Sequence, residues 1–152
     1  MKTEVHLKKK LSSHMSDDKK IPAGASGASI RQEHREDLLL IDGYGDGGFR
    51  VKGRRFEGAL VIMENGVWPM KLTEDGFIDP VIADILDAND PRPDIILLGM
   101  GERMQLVPKA LRQALKDKGL SFDPMDSGAA ARTYNVLLME GRRVAALLLP
   151  VE

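Results

Sequence analysis

The stretch M-D-S-G-A-A-A-R-T-Y-N-V-L-L, Met125 to Leu138, decides how this chain folds. Asp126 or Ser127 is suited to begin a helix, because a side-chain oxygen can accept a hydrogen bond from an unpaired N–H group of the first turn. The apolar residues that follow repeat at helical spacing and predict one buried face: Ala130, Tyr134, Leu137 and Leu138. We therefore expect the end of a strand, a tight turn, and a helix packed on a sheet.

A second face of this predicted helix carries Arg132 and Asn135, which lie three residues apart. A cation and an amide near a helix start could hold an anion or the backbone of a partner protein. The same spacing is explained by an ordinary packed helix with a solvated or salt-bridged arginine, and spacing alone favours that interpretation. Both interpretations stay open at this point.

The rest of the C-terminal half alternates between strand and helix patterns. Asp79-Pro80 is typical of a helix start, with Asp as the N-cap and Pro in the first turn, and Pro108 precedes another helix. Helices are predicted at 79–89, 109–118 and 126–140, and strands at 94–98, 120–125 and 144–149. This alternation favours a parallel or mixed sheet covered by helices.

The N-terminal half reads as antiparallel strands. Residues 42–48, D-G-Y-G-D-G-G, are predicted to form a glycine-rich loop before a strand at 49–51. Glu64-Asn65-Gly66 predicts a hairpin turn. Pro69 makes the returning strand an edge, where Trp68 leaves self-association into a homo-oligomer open. The fold class is therefore α/β: a single compact domain with a mixed β-sheet flanked by helices and an N-terminal antiparallel β-hairpin portion.

Two loops are expected to meet at the carboxyl edge of the predicted sheet, where ligands bind in such folds. One loop is Gly99 to Glu102, whose glycines allow close approach of a backbone. The other is Asp126 to Gly128, which brings helix N–H groups and their partial positive charge. The candidate residues for binding a ligand or a partner are Gly99, Gly101, Asp126, Ser127, Arg132 and Asn135.

Residues 1–36 differ in composition from the rest of the chain. They are rich in Lys, Ser and Asp and contain a small-residue run, A-G-A-S-G-A-S, at 23–29. This composition predicts a disordered tail and linker. The pair His14-Met15 is typical of a cloning junction, so we interpret residues 1–14 as vector-derived. The folded domain is expected at 37–152.

Composition excludes several classes of function. The chain has no cysteine, and its three histidines all lie in residues 1–36. Cysteine catalysis, cysteine zinc sites and a histidine base in the folded domain are therefore not expected. A Lys, Asp/Glu or Tyr mechanism or carboxylate-bound magnesium stays open, but the sequence singles out no catalytic residue, metal or cofactor. A formal net charge of -1 argues against nucleic-acid binding. No apolar run reaches the ~20 residues of a membrane-spanning helix, and no signal peptide is evident, so we expect a cytoplasmic protein.

Three motifs together resemble the Mth-type domain family: I-D-G-Y-G-D-G-G-F-R-V-K-G at 41–53, L-L-G-M-G at 97–101, and M-D-S-G-A-A-A-R-T-Y-N-V-L-L-M-E-G-R-R-V at 125–144. The family includes archaeal and bacterial proteins of unknown function and a mitochondrial factor that assembles respiratory complex I. The resemblance implies a compact α/β domain with a mixed sheet and carries over no established catalytic activity. The family usually has a small hydroxyl residue where Met100 stands and often a cysteine near the third motif. Both departures weaken the case for a polar pocket or a cysteine activity.

The resemblance implies a non-enzymatic protein-binding factor related to complex I assembly, whose partners are complex I subunits or assembly factors. Its location would be the cytoplasm, beside the inner membrane. The alternative is a small-molecule or anion-binding domain, with catalysis left open, that uses the Gly99–Gly101 loop and the helix start from Asp126 to Arg132.

Overall fold

The computed structural model of the chain describes residues 37–152. The predictions for the tail, the vector-derived segment and the three histidines concern residues outside this range. Within it, the strands form a three-stranded antiparallel sheet and a five-stranded mixed sheet. The α/β fold class predicted from the sequence is confirmed.

The elements are numbered in chain order. The smaller sheet contains β1 (Ile41–Gly45), β2 (Gly48–Val51) and β3 (Arg54–Glu57). The larger sheet contains β4 (Leu60–Met63), β5 (Gly66–Pro69), β6 (Ile95–Gly99), β7 (Ser121–Met125) and β8 (Val144–Leu148). The helices are α1 (Ile82–Ala88), α2 (Lys109–Asp117) and α3 (Ser127–Met139).

The larger sheet has the strand order β5-β4-β8-β6-β7. The central strand β6 runs parallel to both β7 and β8, while β4 runs antiparallel to β8 and to β5. The helices therefore serve as crossovers between parallel strands. The carboxyl ends of β6, β7 and β8 all reach the same edge of the sheet, where α3 begins.

Both faces of the larger sheet are buried, which explains the continuous apolar runs of its strands. On one face Ile96 and Leu98 pack with α1 and α2, and Leu111 of α2 is fully buried there. On the other face Leu97 packs with α3 and with the smaller sheet, where Phe49 is fully buried. Helix α3 thus packs against both the larger and the smaller sheet. Only part of its surface contacts solvent.

The predicted loop at 42–48 is wrong in its extent, because most of it belongs to β1 and β2. Only the turn at Asp46-Gly47 separates the two strands, and both of its residues have positive φ, 53° and 80°. Glycine lowers strand propensity, but cross-strand backbone pairing and the buried Phe49 outweigh that preference here.

The predicted start of the first helix is also wrong. Helix α1 begins at Ile82, with Val81 in the N-cap position and no side-chain cap. The Asp79 side chain instead accepts from the Val81 N–H at 3.0 Å, one turn before the helix. By contrast, the hairpin and the edge position of β5 are confirmed. The two turn residues are Glu64 and Asn65, and neither Asn65 nor Gly66 has the positive φ that an Asn-Gly turn predicts. Trp68 on this edge strand is buried, so its side chain packs inside the domain.

Candidate functional site

The two loops that the sequence places at the carboxyl edge are bonded directly to each other. The Gly101 N–H donates to the Ser127 hydroxyl oxygen at 2.9 Å, and the Ser127 N–H donates to the Gly101 carbonyl at 2.8 Å. The Ser127 hydroxyl donates in turn to the Leu149 carbonyl at 2.6 Å. Ser127 is fully buried. Its hydroxyl therefore joins the loop after β6 to the chain after β8, at the base of α3.

Gly99 is required by close packing at this junction. A β-carbon added to it would lie 2.7 Å from the Leu148 side chain and 3.0 Å from the Ser127 α-carbon. Those distances are shorter than van der Waals contact, so a larger residue would push β8 and α3 away from β6. The glycine gives close approach, as the sequence suggests, and the group that approaches is the start of α3.

Asp126 caps α3. The sequence offered Asp126 or Ser127 for this position. Its carboxylate accepts from the Ala129 N–H at 2.8 Å. A negative charge from the protein itself therefore already lies at the positive end of this helix.

Asn135 connects α3 to the first strand. Its side-chain oxygen accepts from the Ile41 N–H at 2.8 Å, and its side-chain nitrogen donates to the Ile41 carbonyl at 2.9 Å. The amide thus pairs with the Ile41 backbone much as a neighbouring strand would. This contact fixes β1 against α3 across 94 residues of sequence.

Arg132 is exposed and contacts a residue that the sequence reasoning did not single out. Its guanidinium donates to the Tyr44 hydroxyl at 3.0 Å. The same hydroxyl lies against Gly128, where a β-carbon of residue 128 would clash with it. Tyr44 retains 43% of its surface in contact with solvent. It therefore covers the start of α3 while presenting the side of its ring outward.

The exposed side of α3 continues this surface. Val136 and Met139 follow Arg132 at i+4 and i+7, and both are about half exposed. We call Tyr44, Arg132, Val136 and Met139 the Tyr44 face. The spacing of Arg132, Val136 and Met139 could have been read from the sequence, but helical spacing alone does not tell which face neighbouring elements will cover.

Two observations concern the titratable groups of residues 37–152. In that range no group of three acidic or histidine side chains converges on a possible metal position. Burial raises the pKa of the Tyr134 hydroxyl well above its ordinary value, and the nearby negative charge of Glu64 raises it further. This hydroxyl is fully buried and has no hydrogen-bond partner among the described residues.

A shallow cleft lies at the opposite end of the larger sheet, where β8 begins and β4 ends. It has almost no enclosed space for even a water-sized molecule. Its walls are formed by Met63, Glu64, Pro91, Pro93, Arg143 and Val144. None of the six candidate binding residues lines it, so the cleft and the predicted site are separate features.

Comparison with known proteins gives a family. The family model described as "Protein of unknown function (DUF498/DUF598)" matches residues 41–149. An uncharacterised protein of Rhodobacter capsulatus is 42% identical over 113 residues, which cover 74% of this chain and 86% of that protein.

Two further similarities are to a protein with a named role and to a solved structure. The human NADH dehydrogenase [ubiquinone] 1 alpha subcomplex assembly factor 3 is 28% identical over 128 residues, covering 80% of this chain and 66% of that factor. The solution structure of a Mth938-like domain from Bordetella pertussis is 28% identical with a TM-score of 0.61, covering 86% of this chain and 92% of that one. The resemblance to the Mth-type family is confirmed.

Proposed function

Because the chain belongs to the DUF498/DUF598 family of proteins of unknown function, we propose that it is a non-enzymatic protein-binding factor in the assembly of a respiratory complex I. Its partner on this proposal is a complex I subunit or another assembly factor. The relative named as a complex I assembly factor supports the direction of the proposal, and the chain spans 66% of that relative's length.

The observation that carries the proposal is the exposure of the Tyr44 face. Tyrosine, arginine and methionine are enriched at the centres of protein interfaces. Val136 and Met139 leave apolar surface in water on a helix whose opposite side is buried. The Arg132–Tyr44 hydrogen bond holds the two polar groups of the face in a fixed arrangement.

The contacts at the carboxyl edge favour this role over the binding of a small anion. The Gly101 N–H and the first-turn N–H of Ala129 are both bonded to side chains of the protein. The Asp126 carboxylate would also repel an anion that approached the start of α3. The anion-binding alternative therefore depends on Arg132, and it remains a prediction that a thermal-shift screen against phosphate and carboxylate metabolites can test.

No helix among the described residues is long and apolar enough to span a bilayer. The location that follows from the proposed role is the cytoplasm beside the inner membrane.

The test is affinity capture of the tagged chain from its own cells, followed by mass spectrometry. The variants are Arg132→Ala and the double variant Val136→Ser/Met139→Ser. Phe77→Ser is a matched control, since Phe77 is 41% exposed and its neighbour Ile78 packs in the core on the α1 and α2 side of the sheet. We expect the wild type and Phe77→Ser to recover complex I subunits or assembly intermediates, and the Tyr44-face variants to lose them.

If all variants recovered the same partner proteins in equal amounts, the interface would have to lie outside the Tyr44 face. Repeated captures that contain only background proteins would overturn the proposed role itself.

A further inference from the structure

The segment between β6 and α2 carries the most exposed apolar side chains of the described chain. Leu106 keeps 85% of its surface in solvent, and Met104 keeps 59%. We call residues 102–107 the Leu106 loop. Such exposure means that both side chains protrude from the surface instead of lying in a flat patch.

The loop is bonded to the rest of the domain in its middle and at its C-terminal end. The Gln105 side chain donates to the Met100 carbonyl at 3.1 Å, which turns Gln105 back toward the protein between its two apolar neighbours. Val107 is buried in the core beneath α2. The Arg112 guanidinium donates to the Val107 carbonyl at 3.2 Å and secures the end of the loop. Met104 and Leu106 are therefore displayed by a fixed backbone.

Cations surround this apolar protrusion. Lys109, Arg112 and Lys116 are exposed at i, i+3 and i+7 on α2, on the side opposite the buried Leu111. Arg103 adds a further exposed cation within the loop itself. The Arg112 bond to the Val107 carbonyl places one cation of the basic stripe beside the C-terminal end of the loop.

The charge of this surface is opposite to that of the rest of the domain. Residues 102–118 contain five Lys or Arg and two Asp or Glu, a net charge of +3, although one of these cations, Lys118, is paired with Asp84 of α1 at 3.2 Å. The rest of residues 37–152 contain nine Lys or Arg and sixteen Asp or Glu, a net charge of -7. Residues 50–55 of the smaller sheet carry four further exposed cations, so charge alone does not orient the domain. Met104 and Leu106 add to the α2 side the protruding apolar side chains that a lipid surface can take up.

We propose that the Leu106 loop and the basic stripe of α2 attach this protein peripherally to an anionic membrane surface, with Met104 and Leu106 entering the headgroup region and the cations contacting lipid phosphates. Apolar side chains flanked by lysine and arginine are the usual composition of such interfacial contacts. A lipid surface accommodates a protruding apolar tip without a matching groove, whereas a protein partner would need one. This inference deepens the membrane-side location proposed above and names the surface and the lipid class responsible.

The attachment is independent of the Tyr44 face, because α2 and α3 pack on opposite faces of the larger sheet. A protein partner can therefore occupy the Tyr44 face while the Leu106 loop contacts lipid.

The experiment is vesicle flotation with the full chain. One set of vesicles contains phosphatidylcholine alone, and the other contains phosphatidylcholine mixed with phosphatidylglycerol. We expect binding to the anionic vesicles only, and we expect it to weaken as salt is raised. Met104→Ser/Leu106→Ser should lower the partition coefficient at least about tenfold. Lys109→Gln/Lys116→Gln should lower it roughly tenfold.

Matched controls are available elsewhere on the surface. Phe77→Ser removes an exposed apolar side chain and Arg50→Gln/Lys52→Gln removes two exposed cations, and both should bind vesicles as the wild type does. Circular dichroism should show the wild-type unfolding midpoint for every variant, since all the substituted side chains are exposed.

Two results would overturn the inference. One is equal binding of the wild type and the Leu106-loop variants to anionic vesicles, or no binding by either. The other is an absence of vesicle binding combined with loss of a captured protein in the Leu106-loop variants, which would make the loop a protein contact. Neither result bears on the Tyr44-face variants, so failure of this inference is distinguishable from failure of the proposed function.

Discussion

The hydroxyl of Tyr44 lies so close to the α-carbon side of Gly128 that a β-carbon added there would clash with it. A residue of the first strand thus fills the space beside the first turn of α3, and the same hydroxyl accepts a hydrogen bond from Arg132 one turn later. The contact joins the smaller sheet to the helix that begins at the carboxyl edge of the larger one. It makes the side chain at position 44 and the absence of a side chain at position 128 depend on each other.

This dependence predicts that the effect of Gly128→Ala on stability differs in sign between the wild type and a Tyr44→Ala variant. In the wild type, Gly128→Ala should destabilise the fold by about 1–2 kcal/mol, because overpacking costs more than the helix propensity that alanine adds. In a Tyr44→Ala background the space is open, so Gly128→Ala should be neutral or stabilising by up to about 1 kcal/mol. Urea unfolding of the four proteins measures both steps. Equal costs in the two backgrounds would mean that Tyr44 does not constrain position 128.

The sequence could not reveal the role of Tyr44, for an identifiable physical reason. The pairing of β1 with β2 is irregular between Ile41 and Gly43, so the strand does not keep a strict alternation of faces. Ile41 and Tyr44, three residues apart, consequently both turn toward α3. A two-residue periodicity cannot show such a bulge, and the glycines around it indicated a loop.

Other parts of the fold were predictable because their signals are local. Continuous apolar runs marked β6 and β8 as strands buried on both faces, and Glu64-Asn65-Gly66 marked the position of the hairpin, though not the conformation of its turn. The meeting of the Gly99 and Asp126 loops was predictable because the carboxyl ends of parallel strands reach the same edge of a sheet. The partners of these loops were not predictable. A serine at position 127 is equally compatible with a bond to a ligand and with a bond to Gly101.

The Ser127 hydroxyl should be essential for stability. Ser127→Ala leaves the Gly101 N–H and the Leu149 carbonyl without their partner in a buried position, and we expect a loss of about 2–3 kcal/mol. The free energy of unfolding in urea measures the effect. Ser121→Ala removes an exposed hydroxyl from β7 and should change stability by less than about 0.5 kcal/mol. A near-neutral Ser127→Ala would show that the junction does not depend on this hydroxyl.

Asn135 should control the attachment of β1. Asn135→Leu keeps the size of the side chain but removes both hydrogen bonds to the Ile41 backbone, and we expect a loss of about 2 kcal/mol. The loss should appear first as faster amide hydrogen exchange within β1, before global unfolding. Val136→Ser, at the adjacent exposed position, should leave exchange in β1 unchanged. Unaltered protection of β1 in Asn135→Leu would contradict the proposed attachment.

Tyr134 is expected to behave in the opposite way from these polar residues. Its hydroxyl is buried without a partner among the described residues, so the folded state loses the hydration of that group and gains no hydrogen bond. Tyr134→Phe removes the hydroxyl and keeps the ring in the core. We expect it to be neutral or stabilising by up to about 1 kcal/mol at neutral pH. A clear destabilisation would reveal a hydrogen bond from this hydroxyl in solution.

The same residue predicts how stability depends on alkaline pH. Burial, aided by the negative charge of Glu64, raises the pKa of Tyr134 in the folded protein well above its ordinary value of 10.0. Above pH 10 the unfolded chain therefore releases this proton while the folded protein keeps it, and stability falls by about 1.4 kcal/mol for each pH unit. Below pH 10 the contribution is fully present. Tyr134→Phe should lose this part of the alkaline decline, and identical pH profiles for the two proteins in urea unfolding would contradict the raised pKa.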